Sequence, residues 1–137
     1  MIQLESNLTV LGLRDESLCD RIRRASLPEA ASVAPARSGL PTLLINGVSM
    51  HSRYDPAGEA RVWAESVRPA EIRSLGLRPA VFGLGLGHHV LALAPEFDEL
   101  LVIEPDPGLI RLALSHLDFT EAIPRLVFLI EPEGADV

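Results

Sequence analysis

Ala80-Val81-Phe82-Gly83-Leu84-Gly85-Leu86-Gly87-His88-His89-Val90-Leu91-Ala92-Leu93-Ala94-Pro95-Glu96-Phe97-Asp98-Glu99-Leu100-Leu101-Val102-Ile103-Glu104 is the stretch on which the fold turns. A short apolar run from Ala80 to Phe82 meets glycines at three alternate positions, an apolar segment of helical character follows, and a second apolar run ends on Glu104. The order reads as strand, tight turn, helix and strand, with an acid at the end of the second strand. That is one half of a nucleotide-binding fold, and it predicts an α/β, Rossmann-like, methyltransferase-like three-layer half-sheet.

The residue types have a physical logic. Glycine at a strand-to-helix turn reaches positive φ, and without a Cβ it lets backbone approach a ligand or lets helix and strand touch. The helix N-terminus then offers unpaired N–H groups to a phosphate or carboxylate. An acid about twenty residues further on is placed to accept hydrogen bonds from a ribose diol. Gly83, Gly85, Gly87, His89 and Glu104 are therefore the candidate cofactor-binding residues, with a nucleotide or S-adenosylmethionine as the ligand class. The dinucleotide fingerprint is incomplete: counting from Gly85 its third glycine falls on Val90, and counting from Gly83 on His88. An S-adenosylmethionine loop fits the glycine spacing better, yet Val81 stands where such loops carry an acid. A scaffold that keeps its glycines for packing is the competing explanation.

The chain has 137 residues, the size of one domain, and 47% hydrophobic residues, enough for a packed core. A formal net charge of −7 and a pI near 5.0 argue against a nucleic-acid groove or an anionic membrane surface as the main partner. Cys19 is the only cysteine, which excludes an internal disulfide and reads as a small buried side chain. No signal-peptide pattern and no run of about 20 apolar residues is present, so the expectation is a cytoplasmic, bacterial-type protein.

Working outward toward the N-terminus, apolar positions at Leu4, Leu8, Leu11, Leu18 and Ile22 predict two helices broken near Gly12, the second over about 16–26. The period then changes. Residues 31–36 read as a strand, Ser38-Gly39 as a turn, and 42–50 as a hairpin folded at Asn46-Gly47, whose two residues suit the positive φ of a type I′ turn. A helix is expected over 56–66, with Asp55 as N-cap and Pro56 in the first turn. Residues 68–79 read as a polar connector. Toward the C-terminus, Asp106-Pro107 opens a helix whose buried face carries Leu109, Ile110, Leu112, Ala113 and Leu117. Residues 126–130 form a third strand, apolar throughout, as a parallel strand covered on both faces should be. The division is thus 1–67, a helical and β-hairpin subdomain, and 68–137, a Rossmann-like unit of three strands. That is too few for a complete methyltransferase or dehydrogenase, so a domain cut from a longer polypeptide is expected.

Two blocks together resemble a known family: Met50-His51-Ser52-Arg53-Tyr54-Asp55-Pro56 followed by Glu59-Ala60, and Gly83-Leu84-Gly85-Leu86-Gly87-His88-His89 followed by Val102-Ile103-Glu104-Pro105-Asp106. Over about residues 42–130 the chain resembles the amino-terminal domain of the Maf (motility accessory factor) glycosyltransferase-like proteins, which are related to a 6-hydroxymethylpterin diphosphokinase-like group. It departs at His88, where the family pattern has a tyrosine. The resemblance implies a larger protein whose central domain transfers a cytidine-monophosphate-activated nonulosonic acid to serine or threonine of flagellin. This chain would then be the accessory Rossmann-like domain without the transferase centre, with a nucleotide or nucleotide-sugar as its possible ligand. The alternatives are an S-adenosylmethionine-binding methyltransferase-like fragment, and a ligand-free domain that meets a protein partner or another copy of itself.

A second candidate cleft is His51, Ser52, Tyr54 and Asp55. These are the residue types of a hydrolytic triad, but adjacent residues rarely converge, and no nucleophile elbow is present. The plainer reading has Asp55 capping a helix, Tyr54 packing, and Ser52 and Arg53 fixing the loop. His88 and His89, about 100° apart on a helix, make a poor metal pair, and no metal site is expected. Glu104, Asp106, Glu131, Glu133 and Asp136 gather acids at the carboxyl ends of the second and third strands, where ligands of open α/β sheets bind.

Overall fold

The computed structural model describes residues 2–132. Two sheets share one core. The first is an antiparallel meander of β1 (Ala31–Pro35), β2 (Pro41–Ile45) and β3 (Val48–Ser49), in which Val33 pairs with Leu43 and Leu44 with Ser49. Asn46 (φ 51°) and Gly47 (φ 78°) make the turn between β2 and β3, both in the left-handed region that an Asn-Gly turn supplies. The second sheet is parallel, in the order β4 (Ala80–Phe82), β5 (Leu100–Ile103), β6 (Leu126–Leu129). The expected mixed α/β, Rossmann-like architecture is present.

Helices α1 (Ile2–Gly12), α2 (Glu16–Arg24) and α6 (Pro107–His116) pack on one another over one face of the parallel sheet. Leu4, Leu8 and Leu11 of α1 recur at helical spacing and are buried, as are Leu18, Cys19 and Ile22 of α2. Complete burial of a leucine or isoleucine is worth about 1.5–3 kcal/mol, so Leu8, Ile22, Ile110 and Leu114 alone bind these helices firmly into the core. The Cys19 thiol is held above its usual pKa, chiefly by burial, and donates to the Leu8 carbonyl. One hydrophobic cluster takes in side chains from both sides of residue 67.

Helix starts follow the expected chemistry. Asp55 accepts from Gly58 N–H at 2.9 Å to open α3 (Pro56–Ser66), and Asp106 accepts from Gly108 N–H at 2.8 Å to open α6. Leu109 is half-buried, and the rest of the predicted face of α6 is buried. Two expectations need correction. The stretch read as a polar connector contains α4 (Pro69–Ser74), a short six-residue helix with no fully buried residue, whose half-buried Ile72 is too little to make an apolar period. The third strand is not covered on both faces: its burial falls from Leu126 to an exposed Leu129. The helix after β4, α5 (His88–Leu93), is short and runs into a 3-10 turn over Ala94–Glu96, where Pro95 cannot supply the next helical N–H. Among the described residues no helix is long and apolar enough to cross a membrane.

Candidate functional site

The glycine loop leaves β4 and enters α5, and each of its glycines is required for a different reason. Gly87 (φ 96°) is buried, and a Cβ there would run into the ring of Phe119, which is fully buried. Gly85 (φ 57°) faces His51, whose Nε2 would lie 2.6 Å from an added Cβ. Gly83 (φ 82°) borders open space. Two of the three are thus filled by the protein itself. Only Gly83 combines a conformational demand with room beside it. Gly83→Ala should cost about 1–2 kcal/mol, the left-handed strain alone, measurable as a lower urea midpoint with an unchanged m-value.

Three of the loop's donors, the N–H groups of Gly83, Leu84 and Leu86, are engaged from within. Gly83 N–H continues the sheet to the Ile103 carbonyl at 2.8 Å. Leu84 N–H donates to Glu104 Oε1 at 3.0 Å, and Leu86 N–H donates to His51 Nε2 at 3.0 Å. Glu104, 5% exposed, accepts with its other oxygen from Asp106 N–H at 3.1 Å. Its carboxylate therefore clamps the β4–α5 loop to the β5–α6 loop. Both oxygens that a ribose would need already hold backbone N–H groups.

His51 is the residue on which the loop closes. It is buried, and its ring lies 5.5 Å, centroid to centroid, from those of both His88 and His89. A ring nitrogen that accepts from an amide carries no proton, so the neutral imidazole bears its hydrogen on Nδ1, which is buried and has no partner among the described residues. Burial first, then the neighbouring His88 and His89, push its pKa down to about 4. His88 is buried as well, and its Nε2 donates to the Pro41 carbonyl at 2.8 Å, tying α5 to the start of β2. His89 is half-buried, stands edge-on to Trp63 at 4.9 Å, and is held below the ordinary histidine pKa by burial, with Glu59 opposing and His88 adding to the effect. With His51 and His89 both held toward their neutral forms, this packed group is a poor anion receptor. Among the described residues no group of three or more His, Cys, Asp or Glu side chains is arranged to hold a metal ion.

The second cleft resolves into a capping network. Ser52 Oγ accepts from the N–H groups of Tyr54 and Asp55, each at 3.0 Å, and Glu59 Oε1 accepts from Ser52 N–H at 3.1 Å. Arg53 Nε donates to Ser49 Oγ at 2.7 Å, and the Arg53 and Tyr54 carbonyls accept from Arg37 and Ser38 N–H. Tyr54, expected to pack, is 68% exposed. Glu59 thus reaches back to the Ser52 N–H, while the Asp55 N–H is taken by the Ser52 hydroxyl. His51 leaves this group and joins the glycine loop. Glu131 is exposed at the end of β6, and its N–H donates to the Pro105 carbonyl; Glu133 and Asp136 lie outside the described residues.

Two further residues matter that the motifs did not single out. Asn7, fully buried, joins α1 to the end of α6 and to Phe119; Trp63 backs His89 from α3. Surface hollows flank α5, one of about 510 Å³ lined by Leu91, Asp118, Glu121 and Arg125, another of about 460 Å³ lined by Leu40, Arg61, His88 and Leu117. Neither is lined by Gly83, Gly85, Gly87 or Glu104.

No protein-family model matches the chain. No curated protein sequence matches it. Among solved structures the fold is similar to that of the Maf glycosyltransferase from Magnetospirillum magneticum AMB-1, with a TM-score of 0.66 and 13% identity over 96% of this chain. The chain spans 27% of that protein's chain. The likeness establishes a Maf-like fold.

Proposed function

We propose that the chain is an accessory Rossmann-like domain of a Maf-type glycosyltransferase-like protein, serving flagellin or related protein glycosylation, and that the transferase centre lies outside it. The likeness to the Magnetospirillum structure supports the family part of this reading, together with the two sequence blocks around His51 and Gly85. The accessory part is carried by one observation: the glycine loop is closed on itself, its Leu84 and Leu86 N–H groups held by Glu104 and His51. A phosphate-binding loop needs such donors aimed at the ligand. Here they hold two loops and one histidine together.

The test is a thermal-shift panel with S-adenosylmethionine, S-adenosylhomocysteine, cytidine monophosphate, a cytidine-monophosphate sugar and NAD. A ligand at a hundred times its dissociation constant would add about 2.7 kcal/mol and raise the midpoint by several degrees. The expected result is no shift with any of them, and no transfer of sugar to flagellin by this chain alone. A shift with one compound that disappears in Glu104→Gln would overturn the accessory reading and make the loop a binding site.

A further inference from the structure

Six side chains of the parallel sheet point away from the core. The strand register sets them in two rows, Ala80–Leu101–Val127 and Phe82–Ile103–Leu129, and all six are apolar. Phe82 is 81% exposed and Leu129 49%, and none of the six belongs to the core cluster. The alternate residues Val81, Val102 and Phe128, with Leu100 and Leu126, face the helices. Single exposed apolar residues are ordinary, but an unbroken apolar array across three adjacent strands marks a surface that something covers.

Topology says what kind of layer fits. Both crossovers step the same way across the sheet, from β4 to β5 to β6, and right-handed connections in one direction put their helices on one face. In a doubly wound sheet, strands that add at the other edge and step the opposite way place their helices on the opposite face. Among the described residues the edge of β4 away from β5 has no strand beside it. The bare face and the free edge lie where one such second half would sit.

We infer that this face docks an amphipathic helical layer belonging to the polypeptide that continues past Val137, as the second half of a doubly wound sheet. The inference rests on the reading above that the chain is one domain of a longer protein. The similar Magnetospirillum chain extends far beyond the shared fold, which is 27% of it. A second copy fits less well, because six side chains of this size offer roughly a few hundred Å², short of the ~800 Å² per partner of a standard stable interface.

A thiol probe tests it. Phe82→Cys in a Cys19→Ser background is labelled with a maleimide, once in residues 1–137 and once in the longer polypeptide. The expected result is rapid labelling of the isolated chain and labelling at least ~100-fold slower in the longer one, the protection of a packed position that reacts only on local opening. Phe82→Asp should leave the melting temperature of the isolated chain unchanged and lower that of the longer polypeptide. Equal labelling rates in the two would overturn the inference. So would protection in the isolated chain that grows with concentration, which would assign the face to a second copy. A reading frame that stops at Val137 would instead remove the proposed function on which the inference rests.

Discussion

Asn7→Ala should destabilise the fold by about 4 kcal/mol, since each buried polar group left without its partner costs about 1–3 kcal/mol. The side chain is fully buried and makes three bonds of 2.8 Å: Nδ2 donates to the Leu114 and Leu117 carbonyls, and Oδ1 accepts from Phe119 N–H. Leu114 lies in the last turn of α6, where carbonyls lack an intrahelical partner. Asn7 therefore caps α6 from the side while fixing the segment that carries Phe119. That ring in turn occupies the space beside Gly87, so a residue of the first helix sets the position of the glycine loop. A loss of this size is a large share of the 5–15 kcal/mol that holds a typical domain together. Urea unfolding followed by far-ultraviolet circular dichroism and by Trp63 fluorescence measures it. Asn7→Asp should be worse than alanine, because it sets a carboxylate against two carbonyls. A loss below about 1 kcal/mol for alanine would mean that α1 docks through its leucines alone.

The contrast between Asn7 and the glycine block shows which parts of this fold are legible from sequence. The order of strand, glycine turn, helix and strand over 80–104 follows from local period and from the special backbone of glycine, and both act over a few residues. The same holds for the caps Asp55 and Asp106 and for the Asn46-Gly47 turn, each of which satisfies neighbouring N–H groups or supplies a positive φ. The roles of Asn7, His51 and Glu104 depend on partners 112, 35 and 20 residues away. Nothing in the local pattern distinguishes a Glu104 that waits for a ribose from one that clamps Leu84. Nor does spacing reveal that His51 parts from Ser52 and Asp55 to fill the place beside Gly85. Helix α4 escaped for another reason: it has no fully buried residue, and its contact with the core through the half-buried Ile72 is too little to make a hydrophobic period. The bare face of the sheet was misread because an apolar strand looks the same whether its second face is covered by this chain or by other residues.

Acid should weaken the fold through His51 before it reaches the ordinary carboxylates. The ring's pKa is about 4 in the folded protein against 6.5 for a free histidine. As pH falls the unfolded chain takes up the proton first, so stability is fully present above pH 6.5 and is lost progressively down to about pH 4. A gap of this size corresponds to about 3 kcal/mol at 1.36 kcal/mol per unit. The mechanism is local: a protonated Nε2 becomes a donor facing the Leu86 N–H, and the bond that closes the glycine loop is replaced by a repulsion. His89, also depressed, adds a slope of the same sign, so the assignment needs a variant. In His51→Gln the amide oxygen can take the position of Nε2 and accept from Leu86 without titrating. The variant should lose about 1 kcal/mol at pH 7 from imperfect packing, and its stability should fall much less between pH 6.5 and 4 than that of the parent. Urea midpoints measured across that range decide the matter. An undiminished slope in His51→Gln would place the titrating group elsewhere and leave the loop held by the Glu104 clamp and by packing against Phe119. A diminished slope would identify His51 as the proton-sensitive latch of the glycine loop, and acid as the condition under which the Leu86 N–H is released.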